Sequence, residues 1–333
     1  MSMNKEELLN YRDTDGYIDY DRFESEKGKN LKTIDEDRGS SSRNKKWVFF
    51  DNGTVMLRDD QFEDDGTKFT TYQELIFEEL AKQVNFPVAH YDLIKRGDKR
   101  GIITYNVLDN EDNKEMTMYS LRDFMDQIDC KDDNKFNYNI ADAYSAIKNF
   151  SKESGIEKEQ YAKVMVDFTK MQVLDLFLSS TDRHAENISF LYGVDKVSKK
   201  PIIKLAPLYD NELSCGSDLT EEEMIMCSED FREAKQKAAL QQTCATVPYE
   251  YAIKDRNSTP NSQLLKFCME IDDEVEDFVG DCLEKINIID AVNKVQDRIN
   301  TKLPYNYVDY LLANFSEKKK EMNKIVNDFY QVI

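Results

Sequence analysis

The chain has only two histidines, His90 and His184, in 333 residues, and its six cysteines (Cys130, Cys215, Cys227, Cys244, Cys268 and Cys282) form no C-x-x-C pair. A zinc site therefore has few ligands to draw on, and no disulfide framework is expected. The cysteines read instead as reduced, mostly buried thiols of a cytosolic protein. Any long basic block is also missing: 65 acidic residues stand against 45 basic ones, for a net charge of −20. No nucleic acid is expected to bind the chain alone, and the acidic balance otherwise reads as a solubility device. No apolar run approaches membrane-spanning length, and the opening MSMNKEELLN carries no apolar signal segment. No membrane association is expected, and the expected compartment is the cytoplasm; export by a signal-free route would leave no mark in the sequence. Internal repeats and low-complexity tracts are lacking as well.

What is present is enough apolar material for a core, 40% of the residues, in a chain longer than one hydrophobic core usually serves. Two lobes sharing a cleft are expected, residues 1–107 and residues 108–333. In the first, 46–50 and 54–57 read as strands across the tight-hairpin signal Asp51-Asn52-Gly53. Residues 71–84 turn helical, with Tyr72, Leu75, Ile76 and Leu80 on one face and Pro87 as a stop. Residues 91–95 and 101–107 read as strands across the turn Arg96-Gly97-Asp98-Lys99, and 31–34 supplies a fifth. Beyond the acidic connector 109–115, helical patterns lie at 120–129 and 140–150, and Tyr161, Val164, Met165, Phe168 and Met171 keep helical spacing in a longer helix. Residues 214–262 read as irregular, with Glu221-Glu222-Glu223 as a solvated loop, before closing helices at 262–285, 287–301 and 306–331. Leu311, Leu312, Phe315, Ile325 and Phe329 of the last read as core. The expected class is α+β: a small antiparallel-sheet lobe with one helix, and a larger, mostly helical lobe.

The chemistry concentrates in Asp182-Arg183-His184-Ala185-Glu186-Asn187, between an apolar helix and the strand-like run 188–192; a second apolar run, 201–208, delivers Asp210. Phosphoryl transfer needs a metal to neutralise the moving phosphate and an oxygen base to orient the attacking hydroxyl. Magnesium prefers hard oxygen ligands and keeps several waters, so few protein ligands suffice. Asn187 and Asp210 fit the metal role, leaving Asp182 to face the hydroxyl. Alone, Asp182 or Asn187 reads first as a turn cap; it is their combination with His184 and the strand-borne Asp210 that favours the catalytic reading. His184 reads as a structural loop residue, since Asp182 fills the base role. Arg183 fits either a contact to the Asp210 region or a surface ion pair.

D-x-H-x-x-N followed by a strand-borne Asp, behind a sheet lobe with one helix, resembles the bilobal protein-kinase fold, and in particular the HipA-like serine/threonine kinase family with its smaller CtkA-type members. Tyr72-Gln73-Glu74 through Leu80-Ala81-Lys82 to Pro87 resembles the family helix whose Glu pairs with the ATP-binding Lys. Leu205-Ala206-Pro207-Leu208-Tyr209-Asp210-Asn211 resembles its metal-binding segment, and the likeness runs in ordered blocks over about 30–215. The resemblance implies ATP and magnesium as cofactors, Asp182 as catalytic base, Asn187 and Asp210 as metal ligands, and Glu74 as partner of the phosphate-contacting cation. It places the phosphate-covering loop at 35–45, with Gly39, Ser40, Ser41 and Ser42, where a serine is autophosphorylated in larger family members. It also implies an adenine site near Thr104 and Val107 and a protein substrate with a Ser or Thr acceptor. A regulatory protein partner is implied too, since the family's toxins work with a DNA-binding antitoxin.

One departure stands out: where the family usually has Lys, this chain has Arg58, in Val55-Met56-Leu57-Arg58. The planar guanidinium is no conservative replacement for an ammonium at a tight site. Either Arg58 serves, or Lys45 or Lys68 substitutes, or ATP is bound with little turnover. Three functions stay open: a serine/threonine protein kinase, a lipid or small-molecule kinase, and a weakly active or inactive nucleotide-binding scaffold. The lipid reading lacks a basic membrane-facing cluster, and Asp210-Asn211-Glu212 stands where lipid kinases have D-F-G.

Overall fold

The computed structural model describes residues 4–27, 32–36, 45–59, 62–63, 66–67, 70–110, 113, 115–128, 137–215, 221–230 and 243–332. Strands β1 (Ile18–Asp19), β2 (Lys32–Glu36), β3 (Lys45–Phe50) and β4 (Gly53–Asp59) are followed by a two-residue hairpin, β5 (Phe62–Glu63) and β6 (Gly66–Thr67). Helix α2 (Thr70–Gln83), preceded in the chain by α1 (Tyr20–Lys27), leads into β7 (Tyr91–Arg96) and β8 (Lys99–Tyr105). The main sheet has the order β1-β7-β8-β4-β3-β2. It has six strands, one more than the sequence patterns indicate, because β1 adds two residues in parallel to the β7 edge.

Alternation sets the two faces of this sheet. Val48, Phe50, Val55, Leu57, Ile94 and Ile103 point one way and pack with Leu8, Tyr11, Ile18, Tyr20 and Phe23 of the amino-terminal segment. One residue along, Met56 and Arg58 turn to the opposite face, and the register aligns Trp47, Met56 and Thr104 in one row across β3, β4 and β8. That row lines the cleft.

Helix α2 lies behind the cleft with residues 73–81 all buried, none more than 8% exposed. Glu78 is among them: burial raises its pKa, while the His90 ring at 2.7 Å and the charge of Arg298 outweigh that and bring it down to about 2. The folded value thus lies below the ordinary 4.5. Glu78 then contributes stability fully above that pH and loses it as the pH falls toward 2, a linkage of about 3 kcal/mol. In acid titrations followed by circular dichroism, Glu78→Gln is expected to flatten this limb relative to the parent chain. Parallel curves would assign the acid sensitivity elsewhere.

In the second lobe, β9 (Thr117–Ser120) joins a three-stranded sheet with β11 (Ser189–Val194) and β12 (Pro201–Leu205), and β10 (Tyr138–Asn139) pairs with β13 (Ala245–Thr246). Helices α3 (Leu121–Met125), α4 (Ile140–Glu153) and α5 (Lys158–Leu178) carry the core, and α5 is buried on every side over its last turns, from Val173 to Leu178. The region expected to be irregular contains α6 (Glu221–Glu229), so Glu221-Glu222-Glu223 opens a helix, as well as α7 (Tyr249–Lys254). The single helix expected at 262–285 is two, α8 (Pro260–Met269) and α9 (Asp273–Lys285), because Asp272 caps a new start through the Glu274 amide at 2.9 Å. Helices α10 (Ile288–Ile299) and α11 (Tyr305–Val332) close the chain. No helix among the described residues is long and apolar enough to cross a membrane.

Candidate active site

Helix α5 ends on Ser179 in the left-handed conformation and releases the segment 180–188 into the cleft. Thr181 ties this segment to the chain beyond Asp210, donating to the Leu213 carbonyl from its amide at 2.9 Å and from its hydroxyl at 3.2 Å. The loop also closes on itself: Asn187 Nδ2 donates to the Asp182 carbonyl at 3.0 Å, and the Asn187 amide donates to the His184 carbonyl at 2.9 Å. The first bond identifies the nitrogen of the Asn187 amide and leaves its oxygen for another ligand.

Asp182 is partly buried, with His184 Nε2 3.8 Å from its carboxylate. Burial raises its pKa and Asp210 adds to this, while His184 and Arg183 pull the other way; the net is above the ordinary carboxylate value. His184 thereby sits beside the Asp182 carboxylate.

Asp210 follows β12 and the Val88–Leu208 bridge, with φ at +57°, a left-handed backbone that an aspartate tolerates better than most residues. Arg58 is the centre of its surroundings, 2% exposed. Nη2 donates to Glu74, and Nη1 donates to Asp210 and, at 3.1 Å, to Glu212. Burial works against the charge of Arg58, yet Asp210 and Glu74 more than offset it and its pKa is raised. Glu74 uses its second oxygen to accept from the Asn211 amide at 2.9 Å, so it holds both Arg58 and the segment carrying Asp210. The carboxylates of Glu74, Asp210 and Glu212 lie within 4.8 Å of one another, and Arg58 bonds all three, one positive charge against three negative ones. Hard oxygen donors that could take a divalent cation here are the Asp210 carboxylate with its neighbours Glu74 and Glu212, and, from the loop, the Asn187 amide oxygen.

Above this charged floor opens a cleft of about 220 Å³. Trp47, Met56, Val107, Met118 and Tyr209 give it an apolar wall, while Arg58 and Asp210 lie at its polar part. Thr104 lines it too, with a buried hydroxyl that has no partner among the described residues, as does Arg58 Nε. Of the residues singled out in the sequence, Gly39, Ser40, Ser41, Ser42 and Lys68 lie outside the described residues.

Of the two readings of Arg183, the structure shows the contact to the Asp210 region and no surface ion pair: at 1% exposure it pairs with Asp175 at 3.2 Å, donates to the Tyr209 carbonyl at 2.8 Å and bonds Asn211. Sequence reasoning missed Asp175 as its partner, and missed Glu212 and Tyr91, whose hydroxyl accepts from Asn211 Nδ2 at 2.9 Å. The signal for Arg183 was an Asp at 175, eight residues back on a fully apolar helix end, where a charge requires a partner.

No curated protein sequence matches the chain. Among solved structures it is similar to the Helicobacter pylori proinflammatory kinase CtkA, with a TM-score of 0.66 and 14% identity over 95% of this chain and 98% of that one. It is more distantly similar to Shewanella oneidensis HipA, solved with HipB and its operator DNA, with a TM-score of 0.45 and 11% identity over 81% of this chain and 58% of that one. The CtkA match establishes the kinase-like fold. Residues 50–275 match the HipA-like C-terminal domain, and since that is well over half of its length, the chain belongs to this family.

Proposed function

We propose that the chain is an ATP- and magnesium-dependent serine/threonine protein kinase, with residues 1–107 as the nucleotide lobe and 108–333 as the acceptor lobe. The observation that supports this reading is the meeting of the loop bearing Asp182 and Asn187 with Asp210, bonded to the buried Arg58–Glu74 pair, at one end of a cleft whose walls are otherwise apolar. An apolar slot leading to a charged floor matches a nucleotide, base first and phosphates last. Adenine stacks along the row of Trp47 and Met56, with residues 104–107 at its edge, and the phosphates meet Arg58. Asp182 accepts the hydrogen bond of the acceptor hydroxyl and takes its proton as the oxygen attacks the γ-phosphorus; the bond to the β,γ-bridging oxygen breaks and ADP leaves. Magnesium, held by Asn187 and Asp210, would neutralise the phosphate charge.

The test is incubation with radiolabelled ATP and magnesium, alone and with a generic basic protein, beside Asp182→Ala and Asp210→Ala. Label on Ser or Thr that both substitutions abolish is the expected result. Label passing only to inositol lipid would overturn the protein-kinase reading. A scaffold reading draws on one observation, that Arg58 is already engaged by Asp210 and Glu212; ATP binding without transfer would favour it. Binding itself has an internal reporter, because Trp47 is the sole tryptophan and lines the cleft. Saturating ATP with magnesium is expected to change its fluorescence, and Met56→Ala to weaken that titration. A Trp47 signal indifferent to ATP would place the nucleotide elsewhere.

A further inference from the structure

We infer that the carboxy-terminal helices are a built-in clamp that positions Glu74, with Arg298 as its central positioning residue; this rests on the proposed kinase reading of the Arg58–Glu74 pair. The first observation is burial. Residues 73–81 of α2 have no exposed side, Gln73, Glu74, Glu78 and Glu79 included. A helix that faces a sheet on one side and solvent on the other can swing; this one is enclosed by a second layer.

The second observation is how that layer is attached. Along α2, Gln73 accepts from the Tyr307 hydroxyl of α11. Glu78, one turn on from Glu74, accepts from both Nη1 and Nη2 of Arg298 at 3.0 Å. Gln83 exchanges bonds with the start of α10, donating to the Asn287 carbonyl at 3.0 Å and accepting from the Asn287 amide at 2.7 Å. The partners descend in number as α2 ascends, so the closing helices run back along it and hold it at three successive points. Arg298 also donates to the Tyr91 carbonyl at 2.5 Å, joining α2 to the strand whose Tyr91 hydroxyl bonds Asn211 beside Asp210. One guanidinium thus ties the helix of Glu74 and the strand behind Asp210 to the same support.

The third observation is that the amino-terminal segment locks the far end of α10. Arg12 donates to the Arg298 carbonyl at 3.4 Å and to the Gly16 carbonyl at 3.1 Å, and pairs with Asp92 at 2.5 Å. Gly16, at φ +83°, lies so close that a Cβ there would stand 1.7 Å from the Ile299 carbonyl oxygen. The groups around Glu78 are Arg298, Lys82 at 2.7 Å and the His90 ring at 2.7 Å. Of these, Arg298 alone comes from the closing helices.

The experiment uses the full chain with Arg298→Ala and Arg298→Lys, each alone and combined with Glu74→Ala. It measures amide exchange of residues 70–83, ATP affinity, and kcat and KM for the acceptor. Arg298→Ala is expected to speed exchange in α2 at least about tenfold and to lower kcat about tenfold, with acceptor KM changed less than about threefold. Lys, a point charge that cannot fork between Glu78 and Tyr91, should shift both readouts the same way by less. In the Glu74→Ala background, Arg298→Ala should cost less than about twofold further in kcat, because a positioning residue acts only through what it positions. Equal losses in both backgrounds, or unchanged α2 exchange in both Arg298 variants, would overturn the clamp. If the parent chain transfers no phosphate, the kinase reading fails separately; the clamp then stands or falls on α2 exchange and on whether Arg298→Lys and Glu74→Ala weaken ATP binding non-additively.

Discussion

Replacing Asp182 by Ala or Asn is expected to lower kcat for phosphoryl transfer by about 10³, within the 10² to 10⁴ range of a positioned general base, while ATP affinity stays within about threefold. The geometry argues for this split. The Asp182 backbone carbonyl, which receives Asn187 Nδ2 at 3.0 Å, survives either substitution, so the loop keeps its shape. Among the described residues the side chain accepts no hydrogen bond that stabilises the fold, and His184 stands off at 3.8 Å. On the proposed reading the carboxylate, with its raised pKa, serves the chemistry and not the fold. Asn is the sharper test, since it keeps the shape but cannot take a proton at neutral pH. Single-turnover rates and Trp47 titrations measured together check it. A kcat reduced less than about tenfold would remove Asp182 from the base role.

The residues proposed for the chemistry could be picked out because their spacing is local. Asp182, Asn187 and Asp210 sit at the ends of strongly patterned elements, and the alternation Val55-Met56-Leu57-Arg58 already turns Arg58 to the face opposite the apolar core. What surrounds them was not legible, because it comes from far along the chain. Arg298 reaches Glu78 across 220 positions and Tyr307 reaches Gln73 across 234, and no periodicity encodes such a meeting. The amino-terminal elements were missed for another reason. The 3-10 helix Lys5–Tyr11 and β1 are too short to show a period, and they gain their order from packing Leu8, Tyr11 and Ile18 on the sheet. The Asp272 cap, by contrast, was readable: an aspartate ahead of Asp273, Glu274 and Glu276 is an ordinary helix start inside what looked like one helix.

The largest stability effect is expected at Arg183, where Arg183→Met should cost about 3–5 kcal/mol, the usual result of removing one partner of a fully buried ion pair. Asp175 has no exposure, and burial holds its pKa up even with Arg183 beside it. Without the guanidinium, that carboxylate must either stay charged in an apolar helix end or take up a proton; the Tyr209 carbonyl and Asn211 Oδ1 also lose their donor. Urea midpoints measure the loss. Adding Asp175→Leu should recover most of it, since an ion pair replaced whole by apolar groups often costs little. Transfer activity should not recover with it. Arg183 holds Tyr209 and Asn211, the two neighbours that keep Asp210 at its positive φ, so the repaired core would still leave Asp210 loosely aimed. Recovery of both stability and activity in the double variant would show that the pair only supports the fold, whereas recovery of stability alone would separate its two tasks.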